Sequence, residues 1–433
     1  MKKKLYLLCL LSLSLISCNQ EHIHSFEIKI EGENHYQKCQ CGEIVNYGKH
    51  SGGTSTCTNL AICEVCGEKY GELKEHNFVI PRFDEEGHYY ACECSSINNK
   101  LPHRYEEGVI KVIPTDVSEG IEEFKCIDCE YVKEETLSKI KGYEVDTYPS
   151  LSNADVVAYK DVIYTYGGSP DGSGRTNSIY AFDTRNDKLY KLNVKLPKES
   201  TSHRVSLIGD KVYIFGGLNK NGRIDSVLVH DLTSQTLEEL EVKMPYGVNC
   251  AQIGQYGETI YLFGGMNDSG VNAQIIEYKI SSNKFKILDV SMPEKISKGA
   301  WVSIGKYCYL IGGTGGKRLT TIYRFDMETH TFEKMNGALS IPLSQARALY
   351  DGQGNIYIYG GTNDQNQLLT TVYKYNIESD ECVLENIALP YNLANTCVAY
   401  VNGSSYILGG DNAITNIILK HTQDTIINIK NNE

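Results

Sequence analysis

A Gly-Gly pair closes an apolar run six times in the back two-thirds of this chain, at Gly167-Gly168, Gly216-Gly217, Gly264-Gly265, Gly312-Gly313, Gly360-Gly361 and Gly409-Gly410. Successive pairs lie 49, 48, 48, 48 and 49 residues apart. A second marker keeps the same beat: Pro149, Pro197, Pro245, Pro293, Pro342 and Pro390. Two independent markers holding one period mean a repeat array, in which each unit buries its faces against its neighbours.

One copy shows what the unit is. Arg204 opens an apolar run to Ile208, a turn follows at Gly209-Asp210, and a second run reaches Gly216. After a polar loop come a third run from Ser226 to Asp231 and a fourth from Thr236 to Met244-Pro245. Short runs rich in Val, Ile, Tyr and Phe, parted by Gly, Asn, Asp and Ser, predict four strands per unit. Glycines at a strand end suit positive φ or close backbone approach, and proline just past the last strand suits a place that needs no ladder donor. Six four-stranded sheets around one axis predict an all-β, six-bladed propeller.

The phase also bears on how the ring closes. The segment Tyr143–Tyr148 precedes the first proline marker, as a fourth strand would, while the tail from Asp424 to Lys430 is apolar enough to pair as well. The in-phase Pro149 favours closure of the sixth blade by the N-terminal segment, with the tail as an outer edge strand.

An apolar-Tyr-apolar-apolar-Gly-Gly run, a polar loop and a strand ending in Tyr-x-Phe/Tyr-Asp/Asn resemble the kelch repeat. Copies of the strand ending run from Ile179 to Asp183, Ile322 to Asp326 and Val372 to Asn376, and the resemblance covers roughly residues 145–430. The Trp usual on the fourth strand of a kelch unit is replaced by Tyr190, Phe285 or Phe332. The single Trp, Trp301, falls on a first strand instead.

At the other end, Met1-Lys2-Lys3-Lys4 precedes an apolar stretch from Leu5 to Ile16 that is too short to span a bilayer, which predicts a signal peptide over 1–17. Leu15-Ile16-Ser17-Cys18 resembles a bacterial lipobox. That resemblance implies cleavage before Cys18, acylation of Cys18 and a lipid-anchored, extracytoplasmic protein of the bacterial cell envelope. The alternative is an ordinary secretory signal with an incidental cysteine. With 42 Lys and Arg against 54 Asp and Glu, net −12, nucleic acid is not an expected partner.

Residues 18–140 form a second region, distinct from a propeller over 141–433. It repeats at a shorter period: His24, His50, His76 and His103 lie 26, 26 and 27 residues apart. Each opens a unit that ends in a close pair, Cys39/Cys41, Cys63/Cys66, Cys92/Cys94 or Cys126/Cys129. Counted unit by unit, the expected ligand sets are His24, His35, Cys39 and Cys41; then His50, Cys57, Cys63 and Cys66. The third is His76, His88, Cys92 and Cys94, and the fourth His103, Asp116, Cys126 and Cys129. Four soft or borderline ligands per unit are what a closed tetrahedral Zn²⁺ site requires, so structural zinc is the expected cofactor. An alternative register has His50, His76 and His103 ligating backwards, and disulfides are the alternative chemistry in an exported protein. The units resemble short His-aromatic…Thr-Cys…Cys-x-x-Cys-Gly repeats of bacterial surface proteins, most closely at Cys63–Gly67.

The loops after Gly-Gly and those after Pro are expected on one face of the propeller. That face would gather Arg175, Arg223 and Arg318 with Arg204, Asn249, Arg347 and Asn395, a set suited to carboxylates or sugar acids. Solvated loop residues are the plain alternative. No nucleophile–base–orienter set stands out in the repeats: His203, His230, His330 and His421 are scattered, and Cys250, Cys308, Cys382 and Cys397 are isolated. The leading expectation is a membrane-anchored module that binds a protein or glycan ligand. The alternative, carried by fold analogy, is a metal-independent kelch-type sugar mutarotase acting on sialic acid-like substrates. A copper oxidase would need a Tyr/Tyr/His cluster that nothing marks.

Overall fold

The computed structural model describes residues 23–106, 108–112, 114, 118–137, 139–170, 174–411 and 416–430. The described residues fall into two compact units, one within residues up to 109 joined by 123–134, the other within 110–122 and from 135 on. Among them, no helix is long and apolar enough to cross a membrane. Cys18 and Asp116 lie outside the described residues.

The second unit is a six-bladed propeller of antiparallel sheets, each ordered from an inner to an outer strand. Blade one runs Asp155–Tyr159, Val162–Tyr166, Ser178–Asp183 and Lys188–Lys195. The inner strands of the following blades are Arg204–Ile208, Gln252–Tyr256, Ala300–Ile304, Arg347–Tyr350 and Cys397–Val401. Each faces the inner strands of its two neighbours, and the sixth faces the first. Apolar side chains pack between blades; one cluster joins Tyr148, Leu151, Ile163 and Phe182 of the first blade's side to Ala399, Leu408 and Ile418 of the sixth.

The glycine pairs prove to be contacts between blades. Both glycines of every pair have positive φ, for instance 65° and 103° at Gly216 and Gly217. A Cβ on Gly216 would stand 2.2 Å from the carbonyl oxygen of Val248, in the loop that crosses into blade three. The second glycine donates its N–H to that same loop, Gly217 to Val248 O at 2.8 Å, and Gly410 reaches round to Leu151 O at 3.1 Å. The crossing loops also meet one another. Asn153, Ser202, Cys250, Lys298, Gln345 and Asn395 are all left-handed, with φ between 50° and 60°. Each of the last five donates its N–H to the carbonyl of the one before, at 2.7–3.1 Å, and Asn153 closes the ring on Asn395 O at 3.0 Å.

The expectation for ring closure is overturned. The sixth blade is completed by the C-terminal strand Thr425–Asn428, which pairs with Ile418–Thr422. The N-terminal strand Gly142–Glu144 instead pairs with Lys188–Lys195 as a fifth, outermost strand of blade one. Pro149 keeps the phase because the proline marks the loop entering a blade. That loop does bind the sixth blade, through Gly410 and through the Asn416 side chain, which accepts the Tyr148 N–H at 2.6 Å. The marker therefore counted crossing loops, and one of these precedes the first blade.

The first unit is built from small sheets and hairpins. Phe26–Glu31, Asn34–Cys39 and Ile44–Lys49 form a three-stranded sheet, Ala61–Ile62 pairs with Lys69–Tyr70, and Ile80–Asp84 pairs with Gly87–Ala91. Few side chains are buried here, and those that are include Cys39, Cys63, Cys92 and Cys126 with His35 and His50.

Candidate metal centres and the propeller face

Four groups in the first unit bring His and Cys ligand atoms within 4.8 Å of one another. They are His24, Cys39 and Cys41; His35, His50, Cys63 and Cys66; Cys57, His76, Cys92 and Cys94; and His88, His103, Cys126 and Cys129. Every metal ligand expected from the sequence joins a group except Asp116, which is not described. The grouping by unit, however, is wrong. His35 sits with the second unit's ligands, Cys57 with the third's and His88 with the fourth's. Backward ligation is wrong too, since each opening histidine faces the cysteine pair of its own unit.

Strand geometry explains the error. His35 and Cys39 lie on one strand, Asn34–Cys39, where a separation of four residues spans about 13 Å. His88 is likewise held on Gly87–Ala91, just ahead of Cys92. An extended chain cannot bring both ends to one ion, so the histidine at the far end of the strand meets the next unit instead. The His35 and His50 rings stand 5.6 Å apart, and those of His88 and His103 5.9 Å.

The opening histidines share one pose. Nδ1 faces the second cysteine of the pair at 3.5 Å for His24 and Cys41, 3.2 Å for His50 and Cys66, 3.2 Å for His76 and Cys94, and 3.4 Å for His103 and Cys129. In His50 and His103, Nε2 points at the backbone carbonyl of Gly32 (3.3 Å) and Asp84 (2.6 Å). Those carbonyls hold the proton on Nε2 and leave Nδ1 free to bind a metal. The first cysteines of the later three pairs, Cys63, Cys92 and Cys126, are drawn toward the thiolate form. Burial pushes the Cys63 thiol up, but the amides of Cys66 and Ser51 and the His50 ring outweigh it and bring it down to about 6. Cys126 follows the same balance to about 6, through the Asp128 amide and His103. The Cys94 amide, against burial, takes Cys92 to about 7. Thiolate is the form that binds a metal ion.

In the propeller the expected arginine face separates into three parts. Arg204 and Arg347 are buried at 3% and 4% exposure, where they open the inner strands of blades two and five. With Asp155, Gln252, Ala300 and Cys397 they make one layer of opening residues, a single position from each blade. Both guanidinium groups lie over the ring of Trp301, at 4.3 and 5.0 Å from its centroid. Arg204 donates to the carbonyls of Ala251 and His203, whereas Nε of Arg347 is buried with no hydrogen-bond partner. Burial raises the Asp155 carboxyl against the pull of both arginines, and burial followed by repulsion from Arg347 brings Arg204 down to about 10.

Arg223 and Arg318 are loop braces. Arg223 binds Asn249 at 3.1 Å and Asp268 at 3.0 Å; Arg318 binds Ser344 at 2.9 Å and Asn366 at 2.7 Å. In each case the arginine of one blade ties down the loops of the next. Asn395 belongs to the backbone ring and donates through its side chain to Asp411. Arg175 is half-buried, and its Nε has no partner among the described residues.

The scattered histidines are ties between blades. The Tyr166 hydroxyl sits 2.9 Å from His230 Nδ1 and the Tyr359 hydroxyl 2.8 Å from His421 Nδ1. Tyr261 approaches His330 Nε2 at 3.3 Å. Cys308 and Cys397 are buried thiols pushed up to about 12 by that burial, far from a reactive thiolate. Trp301 as the platform for two arginines was missed from sequence. Its only signal was a lone Trp on a first strand.

Comparison with known proteins agrees with this geometry. Residues 132–295 match the KLHDC2/KLHL20/DRC7 Kelch-repeats domain, and residues 301–337 and 352–384 match the Kelch motif. No curated protein matches the chain. Among solved structures, that of YjhT is similar with a TM-score of 0.56 at 16% identity, covering 64% of this chain and 98% of YjhT.

Proposed function

We propose that this kelch-type propeller is the recognition module of an envelope lipoprotein, anchored through acylated Cys18 and preceded by a zinc-bound Cys/His repeat region. Its ligand would be a protein or a glycan bound at the loop face. One observation carries the binding reading: the loop face is pre-organised. Six crossing loops are joined in a closed backbone ring, and Arg223 and Arg318 brace the loops of neighbouring blades. A rigid surface binds with little loss of conformational freedom, which is where much of the affinity of loop-built sites arises. Zinc fits the Cys/His groups because three of them offer four N and S donors, the donor set of closed structural sites. Its role there would be to hold small units that bury little apolar surface.

The sugar-acid mutarotase reading draws on the axial layer. Arg204 and Arg347 over Trp301, with an unpartnered Nε, are suited to a carboxylate. A cavity of about 290 Å³, lined by Val157, Ser206, Gly254 and Trp301 among others, gives room beside it. A glycan array probed with the chain from residue 19 separates these readings. Glycan binding abolished by Arg223→Ala or Arg318→Ala supports the loop-face reading. Sugar-acid binding lost only with Arg347→Met, together with faster exchange of anomers by NMR, supports the mutarotase. No glycan binding leaves a protein ligand, to be sought by crosslinking on intact cells.

A further inference from the structure

The three four-donor groups are not chemically alike. Among the described residues, the second and fourth join two histidines to two cysteines, whereas the third joins His76 to Cys57, Cys92 and Cys94. The extra sulfur comes from the preceding unit, in the place that His35 and His88 take in the other two. The loop that carries it is pinned on both sides: the Thr56 hydroxyl accepts the Asn59 N–H at 2.9 Å, and the Thr56 carbonyl accepts the Lys74 N–H at 3.1 Å. Cys57 Sγ then stands 3.5 Å from Cys92 Sγ, and Cys94 Sγ 3.2 Å from His76 Nδ1. The surroundings differ as well. His35, His50 and Cys63 of the second group are buried, and the groove beside that group is lined by His50 without a cysteine. At the third group Cys57 and Cys94 are partly exposed, and all three sulfur residues line a groove of about 550 Å³ together with Lys74 and Asn77.

We infer that Cys57, His76, Cys92 and Cys94 form a site selective for soft, thiophilic ions such as Cd²⁺ or Cu⁺, which takes such an ion from solution while the Cys₂His₂ groups keep zinc. The inference rests on the zinc reading above. A thiolate stabilises a soft ion more than an imidazole does, so going from two sulfurs to three moves the preference of a site from zinc toward softer ions. Zinc has no geometric demand from its d electrons and accepts either donor set, so the difference between the groups falls on the softer ion. Access comes from the groove, along which an incoming ion meets sulfur before the resident ion has left.

The test loads the chain from residue 19 to 433 with Zn²⁺ under reductant, adds Cd²⁺ in steps and follows cadmium NMR, in which each sulfur donor moves the resonance downfield. The first cadmium bound should give a single resonance in the three-sulfur range, with a zinc ion released in exchange. Cys57→His rebuilds the third group as Cys₂His₂. It should leave the number of zinc ions bound unchanged, and cadmium should then enter the groups without order, all in the two-sulfur range. In the wild type, where no variant has to fold, a first resonance in the two-sulfur range, several at once, or no cadmium uptake overturns the inference and leaves the zinc reading standing. A three-sulfur resonance that survives Cys57→His overturns it as well, by placing the ion elsewhere. A folded chain that holds neither zinc nor cadmium overturns the zinc reading and this inference with it.

Discussion

At the residue scale the repeated glycines carry two separable burdens, a left-handed backbone and a close approach to the next blade. Gly257 has only the first: its φ is 56° and nothing stands within 4 Å of a Cβ. Gly409 has both, with φ 61° and the Leu151 carbonyl oxygen 2.3 Å from a Cβ. Gly257→Ala should cost roughly 1 kcal/mol of backbone strain and Gly409→Ala roughly 2–4 kcal/mol. Urea unfolding followed by Trp301 fluorescence measures both, because the only Trp lies in the propeller; equal costs would refute the contact argument. The buried histidines set a pH dependence. Burial, aided by Arg204, pushes His203 down to about 4, and burial does the same to His230. Unfolded, each takes a proton near 6.5. Between these values the unfolded chain binds protons that the folded chain refuses, so stability is full above about pH 6.5 and falls as pH drops toward 4. The loss is up to about 3 kcal/mol for each histidine. His230→Phe should flatten the slope over that window, and an unchanged slope would contradict the assignment. Sequence showed these histidines only as unaligned positions, since Tyr166, which each of them meets, lies 37 residues before His203 and 64 before His230, on the preceding blade.

At the element scale the C-terminal strand is the test of ring closure. Thr425–Asn428 covers Ile418–Thr422, in which Ile418 and Leu419 are fully buried, and Lys430 donates to the Asp187 carbonyl across to blade one. Ending the chain at Asp424 should therefore lower the melting temperature by several degrees, through lost apolar burial and an exposed strand edge. Tyr143→Pro, in the exposed fifth strand of blade one, should change it little. The reverse ranking in thermal melts would restore closure by the N-terminal segment. In the first unit the element that matters is the strand between His35 and Cys39. Since His35 serves the Cys63/Cys66 group, adding His35→Ala to Cys63→Ser should lose no further zinc, whereas adding it to Cys39→Ser should weaken a second site. Metal analysis by mass spectrometry distinguishes the two registers. Ligand types and spacing were readable in the residues, but their partition among ions was not, because it depends on a strand keeping its two ends about 13 Å apart.

At the scale of the whole molecule, every Cys/His group among the described residues lies in the first unit and every blade in the second. Removing metal with a strong chelator should therefore abolish the ellipticity contributed by the first unit and leave the Trp301-monitored melt of the propeller in place. A propeller melt that moves with metal loss would show the units to be coupled. The repeat count, the four strands per blade, the period and the identity of nearly all metal-ligand candidates followed from sequence alone. They express local chemistry: strand-forming runs, turn residues, and glycine wherever two backbones come close. What tertiary structure decided was who meets whom. It sent Arg204 and Arg347 inward onto Trp301, turned Arg223 and Arg318 into braces, handed His35, Cys57 and His88 to the following units, and gave the sixth blade its own C-terminal strand. Each of these pairings joins residues whose separation along the chain says nothing of their separation in space, and extended strands and ring closure set that distance.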